Sequence, residues 1–326
     1  MSLFTDSIFE EVLIKPFDEG ADRLLIISGY ATANMVARHA EFLKTISKHR
    51  KLSLDLIVGM CVQDGLEIQN HESFKEIQKR DEINFTCQYV INNPPVHSKV
   101  YTWLKKEIPY KSFIGSANYT QNAFSQSMRE VLGETNPQWS LDYYNSIFGE
   151  TVNCSDEENI RNNIEFYNRK RIIKEIINND PSGIIPDIVY KDLPKVTLTL
   201  LDNHTGDVPK RSGLNWGQRP EYGRDPNQAY INIPAPIGRS GFFPERREVF
   251  TITTDDDKQL ICVRAQDGGK GLHSTLNNSL IGEYFRYRLG LKNGEEVNVS
   301  HLLKYGRTNV DIYKIDEEYY YMDFSV

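Results

Sequence analysis

Hydrophobic and polar positions follow one rhythm over the first half of the chain and another over the second. In the first half, short apolar runs alternate with amphipathic stretches. Arg23 to Ser28 (RLLIIS) reads as a strand buried on both faces. Ala33 to Lys48 has helical spacing through Met35, Val36, His39, Phe42, Leu43 and Ile46. Leu52 to Gly59 predicts a second strand, Leu66 to Lys79 a helix, and Asn84 to Ile91 a third strand. Val96 to Leu104 and Lys111 to Ile114 read as neighbouring strands. A short strand at Glu130 follows, then helices over Ser140 to Phe148 and Asp156 to Ile177. Interleaved strands and helices predict an α/β domain whose mixed or mainly parallel sheet is covered by helices on both faces.

Asn178 to Lys195 (NNDPSGIIPDIVYKDLPK) carries three prolines and a glycine with no helical period, and reads as a linker. Beyond it come short strand-like segments: VTLTLL, AYINIP, VFTITT, LICVRA, YFRYRLG, VDIYKI and EYYYMDF. Turn signals such as Asp267-Gly268-Gly269 and Lys292-Asn293-Gly294 separate them, which predicts a small β-barrel or sandwich with little helix. The expected organisation is a first domain over 1–177, a linker over 178–195 and a second domain over 196–326.

Length is comfortable for two domains at 326 residues. No run of eighteen apolar residues is present, and the acidic N-terminus lacks the basic region of a signal peptide, so a cytoplasmic protein with no membrane role is expected. Cys61, Cys87, Cys154 and Cys262 are scattered, form no Cys-x-x-Cys pair and have no His neighbours, which argues for buried thiols rather than zinc. The net charge of −7 weighs mildly against nucleic-acid binding, but the stretch from Lys210 to Arg247 is rich in arginine, and affinity needs only a local basic face.

The chemistry concentrates at His97-Ser98-Lys99 and, nineteen residues after the lysine, at Asn118 within Gly115-Ser116-Ala117-Asn118. On a strand, His-x-Lys puts both side chains on one face. The second strand then ends in a small-residue turn where backbone approaches an anion closely. An imidazole nucleophile, a fixed cation, and amide or hydroxyl donors in one place suit attack on a phosphodiester. Each residue alone is ordinary; the ordered combination is rare.

This combination resembles the phospholipase D superfamily, with His97, Lys99, Gly115, Ser116 and Asn118 matching its signature. The aspartate usual after the lysine is absent, its place taken by Leu104, which points to the nuclease branch rather than the lipid-hydrolysing one. The resemblance implies that an acid near position 130 accepts a hydrogen bond from the imidazole; Glu130 fits, with Glu134 as the alternative.

The second half tightens the resemblance. A phospholipase D-like domain followed by GLNWGQR, NQAYINIP, FFP and RYRLGL…YGRT is similar to the NgoFVII-type (NgoAVII-like) type II restriction endonucleases over the whole chain. That similarity implies a C-terminal B3-like pseudobarrel whose two arms enter the major groove. The N-terminal arm would span Arg211 to Arg219 and the C-terminal arm Lys270 to Asn278. Candidate DNA-binding residues are Arg211, Asn215, Trp216, Gln218, Arg219, Arg224, Lys270, Ser274, Thr275 and Asn277, because Arg reads guanine and Asn or Gln reads adenine. Arg286 and Arg288, alternating with Phe285 and Tyr287, are expected on one strand face.

These readings predict a site-specific endonuclease acting on double-stranded DNA without a metal or other cofactor. His97 attacks phosphorus, Lys99, Asn118 and Ser116 stabilise the charge, and Glu130 holds the imidazole. One chain carries one such histidine, so two chains are expected to complete a site; the family also admits a separate helicase-like ATPase subunit, through which ATP would enter. Three readings compete: a phospholipid-processing enzyme with the same residues, a non-catalytic DNA-binding protein, and a metal-dependent nuclease. The last needs clustered carboxylates beside a lysine, and neither Pro186-Asp187 nor Asp255-Asp256-Asp257-Lys258 has that form.

Overall fold

A computed structural model describes residues 2–46, 50–125, 128–167, 193–246 and 248–326. The chain divides into two compact units, Met1–Ile176 and Ile177–Val326. Most of the expected linker and the end of the expected 156–177 helix lie outside the described residues.

In the first unit, the described residues form an eight-stranded sheet. Its order is Leu3–Phe4, Leu132–Thr135, Ile108–Gly115, Val100–Lys105, Arg23–Ser28, Ser53–Val58, Asn84–Val90 and Thr151–Asn153. Arg23–Ser28 runs parallel to Ser53–Val58, which runs parallel to Asn84–Val90; the other neighbours are antiparallel. The sheet is therefore mixed. Helices Ala33–Ile46, Ile68–Gln78 and Pro137–Phe148 connect or flank its strands. Leu25, Ile27, Ile57, Val90, Val100 and Leu104 form a core cluster with Tyr144 of the last of these helices. A central strand covered on both faces must be apolar at every position, which is why RLLIIS shows no alternation.

Two boundaries differ from the sequence reading. The strand expected from Val96 starts only at Val100, and His97 to Lys99 lie in the loop before it. The loop is held by Gly59: Val96 N–H donates to the Gly59 carbonyl at 3.1 Å, and a Cβ on Gly59 would fall 1.9 Å from the Val96 oxygen. Among the described residues, the helix expected from Asp156 spans Glu157–Asn163. Phe166–Tyr167 then pairs in parallel with Leu66–Glu67.

The second unit holds a seven-stranded sheet, ordered Lys195–Thr199, Asn309–Lys314, Tyr319–Asp323, Val249–Thr254, Gln259–Ala265, Gly271–Ser274 and Ile231–Asn232. Its first and last members come together, so the sheet is nearly closed like a barrel. Leu198, Phe250, Ile252, Leu272, Ile312, Tyr320 and Met322 fill the core.

The segment YFRYRLG is not a strand. It belongs to the helix Leu280–Leu289, which ends at Gly290 with φ +67°. Ile281 and Phe285, one helical turn apart, are both fully buried. The aromatic residues that suggested a strand serve the core equally well from a helix face. A second helix, Val299–Tyr305, opens with an Asn298/His301 capping box and was also not anticipated. Arg286 and Arg288 consequently share no strand face. Arg286 is fully buried, donating to the carbonyls of Glu295, Gly282 and Pro226, and Arg288 pairs bidentately with Asp255 at 2.7 and 2.8 Å. No helix among the described residues is long and apolar enough to cross a membrane.

Candidate active site and DNA-binding surface

The candidate active site lies at the carboxyl ends of the parallel strands, where backbone leaves the sheet and polar groups converge. The loop after Arg23–Ser28, the loop before Val100 and the turn after Ile108–Gly115 bring Asn118, His97 and Lys99 together. The loop before Val100 is one wall. Lys99 is buried, whereas His97 is exposed. The Lys99 ammonium lies 3.0 Å from His97 Nε2, 3.1 Å from Nδ1 and 2.7 Å from the His97 carbonyl oxygen. A point so nearly equidistant from both ring nitrogens cannot lie in the ring plane without overlapping a ring carbon. The ammonium therefore lies out of the ring plane, against a face of the imidazole. Burial lowers the Lys99 pKa, opposed by the negative charge of Glu130.

Asn118 supplies the second element. Its Oδ1 accepts from the Tyr30 amide at 3.2 Å; Ser28 Oγ lies 3.3 Å from it and gives its one proton to the Tyr30 carbonyl at 2.6 Å. The Tyr30 bond fixes the orientation of the amide and leaves the Nδ2 donors without a partner among the described residues. Ser28 Oγ also accepts from the Tyr119 amide at 2.9 Å. Behind them, buried His39 completes the support: Nε2 donates to the Leu13 carbonyl at 2.9 Å, so Nδ1 accepts from the Tyr119 hydroxyl at 2.9 Å. Burial pushes the pKa of His39 down to about 4 and keeps it neutral. Asn70 clamps the 30–33 loop, donating to Ala31 O at 2.9 Å and accepting from Ala33 N at 2.8 Å.

Ser116 and Glu130 stand apart from the expected pattern. The Ser116 hydroxyl donates to the Glu130 carboxylate and accepts from the Val131 amide at 3.1 Å. Glu130 thus holds Ser116, not the imidazole, and the Ser116 proton is already committed. Glu134 accepts from the Ser2 amide at 3.1 Å, away from the histidine. What packs against the imidazole is Tyr30, whose ring is edge-to-face with it at 5.9 Å and 80°. The Tyr30 hydroxyl donates to Asp64, and that bond, with burial second, raises the phenol pKa to about 12. A Cβ on Gly29 would lie 3.0 Å from His97 Cδ2, so the tight fit needs glycine there. Ser28, Gly29, Tyr30, Asp64 and Asn70 carry no spacing that singles them out in the sequence.

Among the described residues one group has metal-ligating reach: His71, Glu72 and Glu157. Lys75 already binds both carboxylates there, so a cation would have to displace an ammonium. The Asp255–Lys258 turn is likewise committed, Asp255 to Arg288 and Asp256 to Thr254. Asp187 lies outside the described residues.

In the second unit the candidate DNA-binding residues divide. Asn215 is fully buried: it donates to Pro209 O and Val297 O at 3.1 and 2.7 Å and accepts from Val297 N at 2.9 Å. Gln218 donates to Pro226 O and Gly294 O at 3.2 and 2.9 Å. Buried Ser274 donates to Asn277 O at 2.8 Å, Asn277 Oδ1 accepts from Ser279 N at 2.9 Å, and Thr275 is buried. These side chains serve the barrel because its loops need their carbonyls and amides paired.

Lys270 is exposed, and its ammonium has no partner among the described residues. Arg211 is exposed and paired with Glu221. Arg224 lies flat on the Trp216 ring at 4.0 Å, and the Nε atoms of Arg219 and Arg224 are unpartnered. Trp216 also meets Tyr230 and His273 edge-on at 6.0 and 5.1 Å. Burial, helped by the Arg224 charge, lowers the His273 pKa to about 4.

Residues 6–162 match the family described as the NgoFVII restriction endonuclease N-terminal PLD domain, and residues 188–316 the NgoFVII C-terminal B3-like DNA-binding domain. No curated protein matches the sequence. Among solved structures, NucT from Helicobacter pylori is 17% identical with a TM-score of 0.34, over 47% of this chain and 97% of that one. Nuc from Salmonella typhimurium, a phospholipase D family member, is 12% identical with a TM-score of 0.35, over the same shares.

Proposed function

The chain belongs to the NgoFVII restriction endonuclease family, a PLD nuclease domain joined to a B3-like DNA-binding domain, and from that premise we propose a metal-independent, site-specific cleavage of double-stranded DNA through a phosphohistidine. The observation that carries the proposal is the juxtaposition of an exposed imidazole, the Lys99 ammonium against its face and an Asn118 Nδ2 without a partner among the described residues.

In the first step a His97 ring nitrogen forms a P–N bond as the bond from phosphorus to the leaving oxygen breaks. Lys99 and Asn118 Nδ2 neutralise charge on the non-bridging oxygens. The leaving oxygen takes its proton from a second imidazole, that of another copy of the chain. Water then attacks phosphorus, giving its proton to the second imidazole, now deprotonated, as the P–N bond breaks and releases His97. Because the nucleophile is a side chain, this scheme assigns no step to a metal. Glu130 acts at one remove, through Ser116 and the field at Lys99.

One motif histidine per chain makes a homodimer part of this reading. Exposed apolar side chains next to the site support it: Ile114 lies two residues before Ser116, and Trp139 and Tyr143 share a helix face whose Tyr143 hydroxyl bonds Ser98 at 3.0 Å. In the DNA-binding unit, Arg219, Arg224 and Lys270 are the proposed contacts, with Trp216 as the platform under Arg224. A cytoplasmic location and a helicase-like ATPase subunit complete the proposal.

The test is cleavage of plasmid DNA by the purified chain in EDTA, with and without ATP and the ATPase subunit. Cleavage in the chelator, lost in His97→Ala with DNA binding kept, is the expected result. Cleavage that stops on chelation and returns with Mg²⁺ would overturn the mechanism.

A further inference from the structure

We propose that Tyr30 is a positioning residue of the nuclease reaction, tethered by Asp64 and setting the imidazole of His97 and the amide of Asn118 at once. The inference rests on the reading of His97 as nucleophile and adds a residue that neither the motif nor the family description assigns.

Three contacts meet in this one residue. Its ring abuts the imidazole edge-to-face at 5.9 Å. Its backbone N–H donates to Asn118 Oδ1 at 3.2 Å, which turns Nδ2 outward. Its hydroxyl donates to Asp64, the last residue of the short helix Cys61–Asp64. The Ser28 hydroxyl donates to its carbonyl at 2.6 Å, and the neighbouring Ala31 bridges to Tyr119, so the backbone on both sides is held.

Packing of the core does not account for this side chain, since Tyr30 is 41% exposed. Beyond the Lys99 ammonium against one face, an exposed imidazole has little else to stop it turning about its two side-chain bonds. No hydrogen bond to Glu130 restrains it, because that carboxylate is spent on Ser116. An aromatic edge against the ring, with the far end of the tyrosine anchored to a carboxylate, narrows the rotation and keeps a ring nitrogen on the line of attack. Gly29 allows the approach, because any Cβ there would crowd His97 Cδ2.

The test measures hydrolysis of bis(4-nitrophenyl) phosphate and of duplex DNA by the full-length protein, with His97→Ala run in parallel. Removing the ring in Tyr30→Ala is expected to lower kcat about 100-fold, the cost of a nucleophile misplaced by about an ångström, with KM changed little. Tyr30→Phe keeps the ring and the backbone bond and should recover to within about tenfold of wild type, the worth of one charge-assisted hydrogen bond; Asp64→Asn should match it. Melting temperatures should stay close to wild type because both side chains are exposed. Tyr30→Ala turning over like wild type, or no worse than Tyr30→Phe, overturns the proposal, as does a loss of rate that tracks a loss of folded protein. If His97→Ala retains activity, the nucleophile reading fails instead, whatever Tyr30 does.

Discussion

In the nuclease unit, the polar side chains named by the motif stay near one another: His97, Lys99 and Asn118 meet at one mouth, with Ser116 and Glu130 beside them. In the DNA-binding unit, the polar side chains of the candidate arms divide. Asn215, Gln218 and Ser274 turn inward to bond backbone, whereas Arg219 and Arg224 are half-buried with their Nε unpartnered among the described residues, and Lys270 is exposed. The difference is chemical. Attack on phosphorus needs a particular set of groups, and the set is recognisable as a set. Arginine, asparagine and glutamine serve base edges and barrel carbonyls equally well, so residue type alone does not separate a reader from a brace.

The comparison breaks first at His97. His97→Ala should lower DNA cleavage by roughly 10³–10⁶-fold, the range for a lost nucleophile, with binding to the preferred duplex unchanged in a gel-shift titration. Binding lost together with cleavage would show the two units are not chemically separate.

Next is the brace. Asn215→Ala leaves a buried amide and two carbonyls without partners and should destabilise the protein by about 3 kcal/mol, read as a fall in the denaturation midpoint of the second unit. An unchanged midpoint with altered base preference would return Asn215 to the recognition surface.

Each unit also holds a buried neutral histidine, His39 and His273, each lowered to about 4. The unfolded histidine takes a proton near pH 6.5 and the folded one does not. Stability is therefore fully present above about pH 6.5 and falls as the pH drops towards 4, by about 1.4 kcal/mol per pH unit for each group. Denaturant unfolding at pH 7 and pH 4.5 tests this, and His39→Gln should flatten the slope of the first unit only.

Arg219→Ala should cost roughly 1–3 kcal/mol on the preferred sequence and much less on random DNA if it meets a guanine edge. Equal losses on both would make it a phosphate clamp. The smallest effect is expected at Lys270: Lys270→Ala should weaken all duplexes alike and reduce the salt slope by about one.

Much of this was legible from neighbours in the chain. Local period distinguished the α/β half from the β-rich half, and the spacing of His97, Lys99 and Asn118 marked the site. Such signals survive in one dimension because a strand alternates and a motif keeps its order whatever lies elsewhere. Tertiary structure decided the rest. The segment YFRYRLG became a helix because Ile281 and Phe285 face one core together, and Arg286 went inside because distant carbonyls of Glu295 and Pro226 were waiting for donors. Tyr30 and Asp64 reached the active site only through the sheet order that sets the Arg23–Ser28 strand between Val100–Lys105 and Ser53–Val58. Pairing of buried polar groups depends on residues far apart in the chain, and no local pattern records it.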